Sequence, residues 1–180
     1  MFSKDFQIRG KHAHYWKALS RTPGNVADDT QNFKVFGRYL DVYMLAPIIG
    51  LINGKRGFYD PNDDSRETAG MLAEVLIKNQ SKLKYIYRLV ILLDDSSDIT
   101  QEQRINRAFR ELDNDQSINE GMKTFNEYFL GGLEILYDEF VQTCTTDDDY
   151  INRIYNYVED FKKEQDIDSL EIDVEQLLRK

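Results

Sequence analysis

The feature that most constrains the fold of this chain is a long run of apolar residues with helical spacing, at positions 118–142. Apolar side chains recur there every three or four residues, which places them on one face of an α-helix. Gly131 and Gly132 lie within the run, and each lowers helix stability by about 1 kcal/mol relative to alanine. We therefore predict a central helix whose glycine pair lets a second backbone approach closely. The apolar face comprises Met122, Phe125, Phe129, Leu133, Leu136, Tyr137 and Phe140.

Helical spacing also dominates the segments before this run. We predict a core helix at residues 33–52, with a kink or break at residues 43–47 because proline removes one backbone hydrogen bond. Glycine, proline and aspartate mark residues 53–66 as a loop. From Glu67 the pattern fits two helices or one bent helix as far as Ile91, although residues 85–93 are also compatible with a buried strand. Trp16 and Leu19 are spaced to anchor an N-terminal helix on the core.

Capping patterns predict the starts of two further helices. Thr100 and Gln103 have the spacing of a capping box, in which each side chain satisfies a free backbone donor of the other residue. The helix that follows is predicted to extend to about residue 112 and to bury Ile105, Ala108, Phe109 and Leu112. Thr146 precedes three aspartates that stabilise the positive end of a helix, so we predict a last helix from there. Its apolar face comprises Ile151, Ile154, Tyr155, Val158 and Phe161.

These patterns predict an all-α fold, a single-domain bundle of about six helices with an acidic C-terminal segment. We predict a helical domain at residues 1–165 and an acidic amphipathic tail at residues 166–180. The tail is either a short helix or a segment that a partner orders.

Charge changes sign along the chain. Residues 1–59 carry 9 Lys and Arg against 4 Asp and Glu, residues 60–146 carry 9 against 17, and residues 147–180 carry 5 against 11. Such a gradient affects which partners a protein meets more than it affects the fold. The basic opening mixes cations with aromatics, as nucleic-acid surfaces do, although the net charge of −9 opposes tight nonspecific binding. The predicted partner-binding residues are Arg9, Lys11, Tyr15, Trp16, Lys17, Lys55 and Arg56 in the opening, and Leu170, Val174, Leu177 and Leu178 in the tail.

Residues that could support catalysis or metal binding are few. His12 and His14 point to different sides of a helix, so we interpret them as facing solvent or a partner rather than a metal. Cys144 is the only cysteine, which indicates a reducing cytoplasm and an ordinary thiol. No apolar run reaches the roughly 20 residues of a membrane-spanning helix, so a soluble protein is expected. We predict no cofactor and no metal.

Two stretches resemble a known family. The sequence FGRYLDVYMLA at residues 36–46, running on to Gly50 and to Gly54, Lys55 and Arg56, is the first. The second is FNEY at residues 125–128, followed by GGLEIL at residues 131–136. Both resemble patterns of small helical proteins associated with bacterial Dnd-type systems, which handle phosphorothioate-modified DNA. The resemblance covers about a fifth of the chain and implies a cytoplasmic accessory subunit of an anti-phage defence assembly.

The leading hypothesis is therefore a non-enzymatic interaction or adaptor subunit of a multi-protein assembly, with nucleic-acid contact through the basic opening as an additional option. The first alternative is an acidic DNA mimic that inhibits a nucleic-acid enzyme, because the net charge beyond residue 59 is −14. The second alternative is an all-α hydrolase that uses paired carboxylates or a metal. Glu134 and Asp138, one helical turn apart, are its best candidates.

Overall fold

The computed structural model of the chain describes residues 1–21, 33–60, 63, 65–95, 99–110 and 114–164. Contacts divide the chain into a first unit, Met1–Thr143, and a second unit, Cys144–Lys180. Within the described residues there are seven α-helices and one two-stranded sheet, so the predicted all-α fold is confirmed. The first unit contains β1 (Phe6–Arg9), α1 (Lys11–Leu19), α2 (Tyr39–Ile52), β2 (Thr68–Met71), α3 (Ala73–Lys78), α4 (Gln80–Leu93), α5 (Gln101–Ile105), a π-helical turn (Asn106–Arg110) and α6 (Asp115–Phe140). The second unit contains α7 (Asp147–Glu164).

The packing of α2 against α6 forms the centre of the first unit, and glycines make it possible. A Cβ atom added at Gly132 would overlap the carbonyl oxygen of Ala46, and one added at Gly131 would overlap the carbonyl oxygen of Lys55. In the reverse direction, a Cβ atom at Gly50 would overlap the carbonyl oxygen of Tyr128. The predicted central helix and the close backbone approach at its glycine pair are therefore confirmed.

An aromatic cluster fills the core around these helices. Trp16 is fully buried and stacks on Tyr39, with 4.8 Å between ring centroids. Its indole Nε1 donates a hydrogen bond of 3.2 Å to the Tyr39 carbonyl, so the polar atom of the ring is satisfied. Tyr43 meets Phe129 at 5.0 Å and Phe125 at 5.6 Å, both edge to face. The predicted anchoring of an N-terminal helix through Trp16 and Leu19 is confirmed, since both side chains are buried in α1.

The two-stranded sheet was not predicted. β1 and β2 pair antiparallel, with Phe6 opposite Met71 and Arg9 opposite Thr68. The prediction of helix from Glu67 is wrong for Thr68–Met71, because pairing with a strand about 60 residues away determines the backbone there. Beyond this strand the prediction of two helices is confirmed by α3 and α4. The strand considered at residues 85–93 is wrong, since α4 extends through them.

Helix α2 begins later than predicted. Residues 33–38 are not helical, because the backbone of Phe36 pairs with the segment after α1. Its N–H donates to the Leu19 carbonyl at 3.0 Å, and its carbonyl accepts from the Arg21 N–H at 3.2 Å. Pro47 is buried and lies inside α2, which continues through it, so the predicted break is wrong.

The two predicted capping sites are confirmed. Thr100 and Gln103 form the reciprocal capping box at the start of α5. The helix itself is shorter than predicted: Ala108 is buried, but Ile105 and Phe109 are exposed, and residue 112 lies outside the described residues. At the start of α7, the Thr146 hydroxyl accepts from the Asp149 N–H at 3.2 Å. Hydrogen bonds from Thr146 and Thr145 to the Asp149 carboxylate lower the pKa of Asp149 to about 2.

Candidate protein-interaction surfaces

The first candidate surface is the apolar face of α7, which comprises Ile151, Ile154, Tyr155, Val158 and Phe161. Ile151 is 57% exposed, Tyr155 65% and Val158 44%. Within Asp147–Glu164, which the structure describes throughout, no residue is buried. The sequence pattern therefore produces a helix with one apolar face, as predicted. Ile151, Tyr155 and Val158 of that face are exposed, whereas Ile154 and Phe161 are half-buried.

Polar residues of α7 stabilise the helix without covering this face. Lys162 pairs with Glu159 at 3.0 Å and Lys163 with Asp160 at 3.4 Å, both at a spacing of three residues. Such pairs contribute only about 0.2–0.5 kcal/mol each to a helix. A single amphipathic helix gains most of its stability from packing of its apolar face, so α7 has a face suited to a partner.

The second candidate surface is an apolar groove between α2 and α4, with a cavity volume of about 740 Å³. Helix α2 buries one face against α6 and presents Met44, Leu45 and Ile48 on the other. From α4, Tyr85 is 68% exposed beside the groove. We call this surface the α2–α4 groove, and it is lined by Phe36, Asp41, Met44, Leu45, Ile48, Ser81, Lys82, Tyr85 and Ile86.

A charged cluster around Glu134 of α6 includes Lys11 and Lys55 of the predicted basic opening. One carboxylate oxygen of Glu134 is 3.0 Å from both Lys11 Nζ and His12 Nε2, and the other is 3.2 Å from Lys55 Nζ. Burial raises the pKa of the Glu134 carboxyl, but hydrogen bonds from Lys11, Lys55 and His12 outweigh burial and hold that pKa below its ordinary value. Glu134 is therefore ionised at neutral pH and acts as the common anion of three basic groups.

His12 is a core residue, so the prediction that it faces solvent or a partner is wrong. Its side chain is 1% exposed, whereas His14 is more than half exposed.

Burial lowers the pKa of His12, and the hydrogen bond with Glu134 opposes that shift only in part. His12 is therefore neutral at pH 7 and, with its proton on Nε2, donates to Glu134.

We expect His12 to make the first unit less stable in mild acid. Because its pKa is lower in the folded state than the ordinary value of 6.5, the unfolded chain binds a proton first as pH falls. The free energy of unfolding should therefore fall as pH drops below about 6.5, until the folded His12 is protonated as well. Glu134 titrates in a lower range, because its pKa is lowered from 4.5.

Urea unfolding of the wild type and of His12→Gln, measured between about pH 7 and pH 5, tests this expectation. Glutamine keeps an N–H donor for Glu134 but does not titrate, so the variant should lose less stability over this range. Equal losses in the two proteins would contradict the assignment.

The predicted basic partner-binding residues lie mostly in ion pairs. Lys11 and Lys55 share Glu134, Lys17 lies 3.4 Å from Glu67, and Arg56 pairs with Asp94 at 2.7 Å. These carboxylates neutralise much of the positive charge that a phosphate backbone would meet.

The other predicted binding residues have different surroundings. Trp16 lies in the core, so its ring is not available to a partner and its predicted binding role is wrong. Tyr15 stacks on Tyr137 with 4.0 Å between ring centroids, and Arg9 is exposed at the end of β1.

The other predicted partner-binding roles in the basic opening stay predictions. They concern Arg9, Lys11, Tyr15, Lys17, Lys55 and Arg56. The tail residues Leu170, Val174, Leu177 and Leu178 lie outside the described residues, and the boundary predicted at residue 165 stays a prediction.

The carboxylates proposed for catalysis have other partners. Glu134 is held by three basic groups, and Asp138 accepts a hydrogen bond of 2.9 Å from Gln142. Neither arrangement makes the two carboxyls share a proton, which is what separates the pKa values of a catalytic pair. Among the described residues, no group of three His, Cys, Asp or Glu side chains is placed to hold a metal ion.

Several acidic residues of the first unit are paired with basic residues. Asp94, Glu127 and Glu134 each lie within ion-pair distance of Arg or Lys, as do Glu67 and Glu120. A DNA mimic presents unpaired carboxylates in one ordered stripe, so these five residues do not contribute to such a stripe.

The α2–α4 groove is the surface that sequence reasoning missed. The sequence of α2 does indicate a second apolar face, because Asp41 is the only charged residue among its 14 residues. A helix that is apolar all round is expected to be covered on more than one side. We interpreted the pattern as one buried face, which accounts for the contact with α6 alone.

None of the helices in the described part of the chain is long and apolar enough to cross a membrane. Comparison of the chain with protein-family models, with curated proteins and with solved structures finds no match. The function of the chain is therefore inferred from its own residues and their geometry.

Proposed function

We propose that this protein is a non-enzymatic interaction subunit, which binds another protein of its assembly through the apolar face of α7. The observation that carries the proposal is the exposure of Ile151, Tyr155 and Val158 on the apolar face of an 18-residue helix. Large exposed apolar patches with polar rims are typical of protein-binding surfaces. An amphipathic helix that inserts into a hydrophobic groove is a recurring way of building such contacts.

The energetic argument concerns Ile151, Tyr155 and Val158. Fully burying one side chain of this size is worth about 1.5–3 kcal/mol relative to leaving it in water. Three such side chains contribute at most about 4.5–9 kcal/mol, which is comparable to the cost of association, so binding also requires further contacts with the partner. The aspartates in the first turn of α7 add a local negative charge, which a basic surface of the partner would complement.

The resemblance to Dnd-type proteins supports a bacterial anti-phage defence assembly acting on DNA as the setting of this subunit. In such a setting the chain contacts the proteins that act on DNA and does not itself perform the reaction. Purification of the tagged protein with its bound partner would identify that partner, which the sequence of this chain does not name.

Changing Tyr155 to glutamate tests the proposal, because it places a charge at the most exposed aromatic position of the face. We expect the tagged full-length variant to capture at least tenfold less of its partner from the native host than the wild type does, which corresponds to about 1.4 kcal/mol. The measurement is quantitative mass spectrometry of the purified complexes, followed by binding assays with the purified partner.

Asn156→Glu is the matched control, since it adds the same charge at the neighbouring position, which is exposed on the polar side of α7. Circular dichroism should show the same helix content for both variants. Equal capture by Tyr155→Glu and the wild type would contradict the role of the α7 face, and so would equal losses in both variants.

A further inference from the structure

We propose that the solvent side of helix α4, together with the π-helical turn, binds a single-stranded nucleic acid. This surface belongs to the first unit and is distinct from α7, so the proposal does not depend on the proposed function. We call it the α4–π surface, and it comprises Lys82, Lys84, Tyr85, Arg88, Phe109 and Arg110.

The charge of this region is opposite to that of the whole chain. The chain carries a net charge of −9, whereas helices α4 and α5 and the π-helical turn together carry +5. The balance is Lys82, Lys84, Arg88, Arg104, Arg107 and Arg110 against Glu102. A local field of this sign attracts a polyanion to one part of the surface, even when the net charge of the protein is negative.

Four of these cations are not neutralised by a carboxylate. Arg107 pairs with Glu120, and Arg104 donates a hydrogen bond to the backbone carbonyl of Asp94. Among the described residues, no carboxylate lies within ion-pair distance of the other four, which are Lys82, Lys84, Arg88 and Arg110. The cations of the basic opening are mostly paired, so the α4–π surface is better suited to contact phosphates.

Side-chain contacts join α4 and the π-helical turn into one surface. Arg88 Nε donates a hydrogen bond of 3.3 Å to the Ala108 carbonyl, and the Arg88 guanidinium lies 5.2 Å from the centroid of the Phe109 ring. Arg110 follows Phe109 in the chain and is exposed. Lys84 lies one helical turn before Arg88, on the same side of α4. Short π-helical segments are rare and frequently occur at functional sites.

Aromatic rings alternate with the cations on this surface. Lys82, Tyr85 and Arg88 follow one another at intervals of three residues along α4, and the Phe109 ring lies beside Arg88. Tyr85 is 68% exposed and Phe109 50%. A nucleic-acid strand carries one phosphate and one base per nucleotide, so the cations can neutralise phosphates while the rings stack on bases. An anionic lipid surface or a run of acidic side chains supplies the charge but no planar bases.

The exposed rings favour a single strand over a duplex. In a duplex the bases stack on one another, whereas the unstacked bases of a single strand can stack on aromatic side chains. Such stacking tolerates many sequences, because every base has a planar face. We therefore expect binding with little sequence preference and with a strong dependence on salt.

The test uses the full-length protein and a fluorescent single strand of DNA, of mixed sequence and about 16 nucleotides long. Fluorescence anisotropy gives the association constant at several salt concentrations. Contacts of four cations with phosphates predict that the logarithm of this constant falls with the logarithm of salt concentration with a slope of about −3. The same sequence made of RNA is measured alongside, and the tighter complex identifies the ligand.

Two variants of the surface separate charge from stacking. Lys84→Ala combined with Arg110→Ala should reduce the slope to about −1.5, because two phosphate contacts are lost. Tyr85→Ala should weaken binding about tenfold, because one base loses its stacking partner. The matched control is Lys4→Ala combined with Arg9→Ala, which removes the same charge from exposed positions of the basic opening and should leave the slope unchanged.

Three results overturn the proposal, provided that circular dichroism shows each variant to be folded. One is the absence of binding by the wild type at about 100 μM protein in low salt, the weak limit of nonspecific nucleic-acid binding. The second is a slope that the α4–π variant leaves unchanged or that the control reduces equally. The third is a duplex or an anionic lipid vesicle that binds as tightly as the single strand, since the rings then have no role. Tyr155→Glu should keep the wild-type slope, so failure of this proposal is distinguishable from failure of the α7 proposal.

Discussion

Asp94→Ala should lower the free energy of unfolding of the first unit by about 3 kcal/mol. The Asp94 carboxylate is almost completely buried and receives hydrogen bonds from Arg56 at 2.7 and 2.8 Å and from the Tyr128 hydroxyl at 2.8 Å. The Arg56 guanidinium also lies over the Tyr128 ring, 4.9 Å from its centroid. Alanine removes the anion from this network and leaves the guanidinium charge in a partly buried site.

The size of the effect follows from the partial burial of Arg56. Removing one partner of a buried ion pair costs about 3–5 kcal/mol, because the remaining charge is not compensated. The Arg56 side chain is 25% exposed and keeps Glu127 at 3.3 Å, so the lower end of this range applies. The Tyr128 hydroxyl loses an acceptor in addition, which contributes to the same loss.

Urea unfolding followed by circular dichroism measures this loss. Asp95→Ala is the matched control, since Asp95 is the next residue, carries the same side chain and is exposed. The control should stay within about 0.5 kcal/mol of the wild type. A loss below about 1 kcal/mol for Asp94→Ala would show that the network contributes little to stability.

Gly132→Ala should destabilise the first unit by about 2 kcal/mol, although alanine is the better helix former. A methyl group at this position would overlap the carbonyl of Ala46 in α2. Both groups are backbone or attached directly to it, so neither can rotate away, and α2 and α6 must separate. Overpacking costs up to about 3 kcal/mol, and the higher helix propensity of alanine offsets about 1 kcal/mol of that cost.

Gly37→Ala is the control for this substitution, because a Cβ atom at Gly37 would have no neighbour within 4 Å. We expect it to leave the urea midpoint unchanged or to raise it slightly, through the lower entropy of the unfolded chain. If Gly132→Ala were as stable as Gly37→Ala, the close approach of α2 and α6 would not be a tight contact in solution.

The sequence by itself predicted those features that depend on neighbours along the chain. The periodicity of α6, the capping box of Thr100 and Gln103 and the cap of Thr146 are all local, because their partners lie within four residues. The need for close packing at Gly131 and Gly132 was also predictable, since two glycines inside a helix are costly unless another backbone uses the space.

Tertiary structure alone decided the features whose partners are distant in sequence. β2 is a strand because it pairs with β1, and α2 begins at Tyr39 because Phe36 bonds to the backbone of Leu19 and Arg21. The burial of His12 depends on the approach of Glu134, 122 residues away. The physical reason is common to these cases. Hydrogen bonds within a helical turn are specified by residues close in sequence. Strand pairing, ion pairs and the exposure of a helix face depend instead on which distant segments the folded chain brings together.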